Sequence, residues 1–78
     1  MSVQPLPHDV ETEQGLLGAI LMNNDSLTAA LTVGLEPEHF FEPVHAAIFR
    51  EVRRQITRGM RVTFVTLRSA FPDIPIAG

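Results

Sequence analysis

His39, Glu42 and His45, spaced by three, come nearest in this sequence to a set of metal ligands. Imidazole and carboxylate both suit a divalent ion, but Pro43 lies among them and interrupts the helix that would align them. No metal is assigned to the chain, and His45 is read as a hydrogen-bonded histidine of the core or of an interface. Arginine is the other concentrated chemistry. Arg50, Arg54 and Arg58 recur every four residues on one helical row, with Arg53 beside them, and each like-charged neighbour pair costs a few tenths of a kcal/mol in an isolated helix. Glu51 is within reach of Arg54 or Arg58, so part of the compensation is internal. Solvent or an anionic partner supplies the rest. Arginine suits phosphate, but the chain has no Trp or Tyr to stack on bases, and its net charge is -3. A solvated face and a small stand-alone nucleic-acid-binding regulator both stay open on this evidence.

Other chemistry is excluded by residue type. The 78 residues include no lysine, so a phosphate-binding loop that needs a lysine for the terminal phosphates cannot be built from them. Cysteine is also absent, which removes disulfides, thiolate zinc sites and a thiol nucleophile. No Ser or Thr stands in a recognisable nucleophile turn. The chain is therefore read as non-enzymatic, with no catalytic, cofactor-binding or metal-binding residue.

The positioning elements read as all-α, a small bundle of four main helices plus one short helical turn. Residues 1–8, with Pro5 and Pro7, form an extended arm, and Asp9 is the expected N-cap of a helix from Val10 to about Met22. Leu16, Leu17, Ile20 and Leu21 fill one arc of that helix, while Gly15, Gly18, Ala19 and Met22 occupy the opposite one. Each glycine costs about 1 kcal/mol against alanine, so close approach of another element is the expected compensation. Asp25 or Ser26 is expected to cap a short second helix that Gly34 ends, and Pro37 opens a single turn running to Phe40 and Phe41. Pro43 suits the first position of a third helix running to Arg58, with Gly59 as its stop. Thr63 caps a fourth helix carrying Val65, Leu67, Ala70 and Phe71, and Pro72 ends it.

The expected core is Leu16, Leu17, Ile20, Leu21, Phe40, His45, Ile48, Phe49, Val52, Ile56, Val65 and Leu67. The candidate partner-binding residues are the arginines Arg50, Arg53, Arg54 and Arg58 and the small side Gly15, Gly18, Ala19 and Met22. The helical domain covers 9–71, and the proline-rich tail 72–78 reads as a chain cut short.

Size and charge limit what such a bundle can do. A chain this short hides only about 60–65% of its unfolded surface, so it is marginal alone and gains from a partner. Residues 1–48 carry seven acids and no arginine, whereas residues 49–78 carry six arginines and two acids, a polarity that two packed halves offset. The longest nonpolar run, Leu16 to Met22, is far below the roughly 20 residues needed to cross a bilayer, and the start has no basic region of a signal peptide. A soluble, cytoplasmic protein is expected.

Four blocks of residues then add a resemblance. Pro7-His8 with Glu11-x-Glu13-Gln14-x-Leu16-Leu17-Gly18-x-Ile20-Leu21 resembles the opening helix of DnaB-type replicative helicases. Leu35-x-Pro37-Glu38-x-Phe40-Phe41, His45-x-x-Ile48-Phe49 and Val62-x-x-Val65-Thr66-Leu67 follow in that family's order. The resemblance spans roughly residues 5–71 and departs at Thr63, where the family usually has aspartate, at Phe41, where tyrosine is common, and at Gly15, where a larger residue is usual. It implies the globular half of the helicase's N-terminal domain. Family members continue into a helical hairpin that pairs subunits, a linker and a RecA-like motor that uses ATP and Mg. It also implies a collar on a hexamer, self-association as dimers within that hexamer, a primase helicase-binding domain and a helicase loader as partners, and DNA held mainly by the motor.

Overall fold

Apart from the start of α1, whose cap lies outside the described residues, the helix ends fall where local chemistry says they should, with one exception. The computed structural model describes residues 10–74, and in it α1 spans Val10–Met22, α2 Ser26–Thr32, a 3-10 turn Pro37–His39, α3 Pro43–Thr57 and α4 Phe64–Ala70. No strand occurs among the described residues, so the chain is all-α as expected. Pro43 stands at the start of α3, where its missing N–H would have had no helical partner in any case. Gly59 closes that helix at φ 81°, its N–H donating to the Ile56 carbonyl while Met60 N–H reaches back to Gln55, and Gly34 ends α2 at φ 82°. At α4 the Thr63 hydroxyl accepts from Thr66 N–H at 3.3 Å and the Thr66 hydroxyl accepts from Thr63 N–H at 2.9 Å, a reciprocal capping box. The exception is α2. Asp25 occupies its N-cap but makes no side-chain cap bond; Asn23 Oδ1 accepts from Asp25 N–H instead, and tight backbone turns lead into the helix. The expected arm at 1–8, the Asp9 cap and the tail beyond Ile74 lie outside the described residues.

The core collects where the helices meet. Leu17, Ile20 and Leu21 of α1, Leu27 and Ala30 of α2, Ile48, Phe49 and Val52 of α3 and Leu67 of α4 are buried together, with Leu35, Phe40 and Val62 from the connections. Leu16 and Ile56 are partly buried against this cluster. The Phe40 and Phe49 rings pack tilted at 5.2 Å between centroids, within the range that adds about 1 kcal/mol beyond area burial.

Val65 corrects the expected core, because it is 67% exposed. α4 has only two turns, and it rests on the core through Phe64, Leu67 and Phe71, a stripe spaced three and four apart. Val65 stands two residues from Leu67 and so points to nearly the opposite side. Conversely Val62, absent from the expected core, is wholly buried. Asn24 explains that placement. Its amide donates to the carbonyls of Ile20 at 2.8 Å and Val62 at 2.9 Å, and its oxygen accepts from Val62 N–H at 2.8 Å. One side chain thus ends α1 and pins the α3–α4 connection onto it.

Candidate functional site

The most constrained polar group is a buried carboxylate. Glu13 sits one turn into α1 with 0% exposure, turned inward rather than toward solvent at the helix start. Its Oε2 accepts from Phe41 N–H at 2.7 Å, and its Oε1 accepts from Glu42 N–H at 3.3 Å and from His45 Nδ1 at 2.7 Å. Glu42 is the N-cap of α3, so the carboxylate lies at the positive end of that helix as well as against three donors. Burial pushes the Glu13 carboxyl up, but the bonds from His45, Phe41 and Glu42 outweigh it and hold the group below its ordinary range. The contact joins α1 to the start of α3 across 28 to 32 residues of sequence. His45 is the hydrogen-bonded histidine expected at that position, though its partner was not foreseen.

The other two residues of the three-spaced set do not converge on it. His39 Nδ1 accepts from Glu36 N–H at 3.0 Å and closes its own turn, while His45 faces Glu13. Among the described residues no cluster of three His, Asp or Glu side chains is placed to hold a metal ion.

The arginine face is real but partly neutralised. Arg53 Nη1 donates to Glu36 at 2.9 Å, and its guanidinium lies 5.9 Å from the centroid of the Phe49 ring. Arg54 forks onto Glu51 through Nε at 3.1 Å and Nη2 at 2.6 Å. Hydrogen bonds from Arg54 and Gln55 hold the Glu51 carboxyl down at about 2. Both pairs are in contact with solvent, which screens them, so each contributes little to stability. Arg50, Arg53, Arg54 and Arg58, with Thr57, border a shallow depression of about 420 Å³.

The small side of α1 faces outward. A Cβ built at Gly15 or Gly18 would meet nothing within 4 Å, so no close approach inside the described fold accounts for either glycine. Ala19 is exposed, and Met22 is 79% exposed. Gly18 borders a groove of about 550 Å³ between α1, α3 and α4, with Val10, Leu17, Leu21, Val44, Ile48 and Phe64 among its apolar walls.

What these contacts define is a small helical domain whose described ionisable groups organise packing and surface. By its sequence the chain belongs to the DnaB-like helicase N-terminal domain family, whose model matches residues 5–75. It is 45% identical over 64 residues to the replicative DNA helicase DnaB of Rickettsia conorii, an alignment covering 82% of this chain and 13% of that protein. The replicative DNA helicases DnaB of Geobacillus stearothermophilus and Rhodothermus marinus are each 36% identical over 61 residues, 78% of this chain and 13% and 6% of theirs. The chain thus spans about an eighth of the length of the first of these relatives. No solved structure matches it. The match is to the N-terminal domain of such helicases and not to their motor, and among the described residues no helix is long and apolar enough to cross a membrane.

Proposed function

We propose that this chain is the non-catalytic docking and assembly domain of a replicative DNA helicase, working in the cytoplasm in DNA replication. The observation that carries the reading is the family match over residues 5–75. It is supported by a fold in which the fully buried carboxylate among the described residues, Glu13, is spent on joining helices. In this role the domain contributes to a collar on a hexamer, pairs with its own copies and receives the helicase-binding domain of primase and a helicase loader. ATP, Mg and most DNA contacts belong to a motor elsewhere in the protein. The arginines Arg50, Arg53, Arg54 and Arg58 are one candidate contact face, and Gly15, Gly18, Ala19 and Met22 another.

The test is a complete helicase carrying this domain, compared with the same protein lacking residues 1–78. Loss of hexamer assembly or of primase-stimulated priming is the expected result. Normal assembly and priming by the shortened protein would overturn the reading. The arginine-bordered depression favours one rival, a regulator that grips nucleic acid through α3. Binding of the isolated chain to duplex DNA, weakening steeply with salt and lost on Arg50→Ala with Arg58→Ala, would support that rival instead.

A further inference from the structure

We propose that the arginine stripe on the outer face of α3 is a docking site for an acidic helix of a partner protein, one whose carboxylates repeat every four residues.

The stripe has the spacing of a helix-packing face. Arg50, Arg53, Arg54, Thr57 and Arg58 stand at i, i+3, i+4, i+7 and i+8, and together they border the shallow depression of about 420 Å³. They lie on the side of α3 opposite Ile48, Phe49 and Val52 and extend over about 12 Å of helix. Thr57 is the short side chain among them, and a second helix laid along the axis fits such a row. The dipole of α3 favours cations in its last turn, which accounts for Arg54 and Arg58. Arg50 stands at the middle of the helix, beyond that effect.

The charges in the stripe are unequally committed. Arg53 holds Glu36, and Arg54 forks onto Glu51. Among the described residues no ion pair engages Arg50 or Arg58, which occupy the two ends of the stripe and are exposed. Glu51 reaches Arg58 through space only. The free cations are therefore eight residues apart, the span of two carboxylates at i and i+8 on a helix running alongside. A third carboxylate at i+4 competes with Glu51 for Arg54.

Protein carboxylates suit this pattern better than the phosphates of a nucleic acid. Arginine forks onto either, and the fork already made here is onto a carboxylate. Two free cations give a salt slope of only about -2 on duplex DNA, against roughly 6–10 phosphate contacts in a strongly salt-dependent DNA-binding face. Glu36 and Glu51 stand within the stripe and repel a continuous polyanion, whereas discrete carboxylates are spaced around them. No aromatic side chain borders the depression to stack on a base.

The proposal rests on the docking reading, in which copies of the domain stand side by side and a weak, exposed contact is multiplied. The two fail separately, because peptide binding to the 78-residue chain tests the stripe, while assembly and priming in the complete helicase test the docking role. The probe is a synthetic alanine-rich helix of about 17 residues with a glutamate every four residues along one face. It is titrated against the chain at low salt by fluorescence anisotropy and amide chemical shifts. Saturable binding that shifts Arg50, Thr57 and Arg58 and weakens with added salt is expected. A twin of the same composition, its glutamates scattered around the helix, should bind at least about fivefold more weakly.

Arg50→Gln with Arg58→Gln should weaken binding about tenfold. Arg61→Gln with Arg68→Gln, an exposed pair off the stripe with the same change of charge, should leave binding within about twofold. Glu51→Gln should tighten it, because Arg54 is released. Melting temperatures establish that each variant is folded. Absence of binding, equal losses from the two arginine pairs, equal binding of the scattered twin or shifts confined to other faces would overturn the assignment. So would tighter binding of a short DNA duplex than of the peptide through Arg50 and Arg58, which gives the stripe to nucleic acid. Self-association of the chain that is lost in the Arg50 and Arg58 double variant would give it to a second copy and overturn it as well.

Discussion

The two ends of α3 handle charge in opposite ways. At its start, one carboxylate from another helix is wholly buried and meets three donors, two of them backbone N–H groups and one an imidazole. In its second half and at its C-cap, four arginines lie on the outside, two of them engaged by Glu36 and Glu51 while still partly in water. Low dielectric makes the first arrangement strong when complete and costly when broken, because any member left behind is a buried polar group without a partner. Water makes the second one tolerant, because an arginine that loses its acid is solvated again. The number of ion pairs at each end says little about stability; burial decides it.

The largest effect should therefore come from the fewest atoms. Glu13→Ala leaves two N–H groups and His45 facing a void, and a loss of about 3–5 kcal/mol is expected, enough to unfold much of so small a domain. Urea unfolding of this variant beside Glu13→Gln checks it, since the glutamine keeps an acceptor and should lose less. A Glu13→Ala chain as stable as the parent would erase the contrast between the two ends.

Ile48→Ala comes next. Ile48 is buried in the middle of α3, and removing its side chain should cost about 2–5 kcal/mol. A variant that stays folded with a cooperative melt at the parent temperature would show that this face is not the core.

Acid should reveal the same node. Glu13 has a folded-state pKa below its ordinary value of 4.5, so its contribution is present in full above that value and disappears as pH falls through the lower folded one. Glu51, held at about 2, behaves alike between about 4.5 and about 2, but its partner is half exposed and its share is small. Melting temperatures followed from pH 7 downward should fall in this window, with Glu13→Gln flattening most of the slope and Glu51→Gln little of it.

The smallest effects belong to the exposed surface. Arg54→Ala should leave the melting temperature close to that of the parent, and closer still in high salt. Gly18→Ala should raise stability by about 1 kcal/mol, since the added methyl meets nothing inside the chain and alanine favours the helix. A destabilised Gly18→Ala protein would mean that α1 is packed on that side after all.

Much of this was legible in the residues themselves. Pro43, Gly34, Gly59 and Thr63 mark helix ends through fixed or positive backbone angles and a local hydroxyl, and each acts over a few residues, where sequence distance and spatial distance agree. The spacing of Ile48, Phe49 and Val52 named the buried face of α3 for the same reason. The lack of lysine and cysteine removed whole classes of chemistry without any structure.

Other features belong to the tertiary structure alone. Glu13 looks like any acid near a helix start until the chain returns, some 28 residues on, with two N–H groups and an imidazole to meet it. Asn24 is one polar residue just past α1 until Val62, 38 residues away, lies against it. Val65 and Val62 are the same residue type three positions apart, one outside and one wholly inside. Short-range rules place elements because backbone angles and periodicity are local. Which polar group is enclosed, and by what, depends on contacts between distant segments, and burial is what turns the same carboxylate from a solvated charge into the joint of the fold.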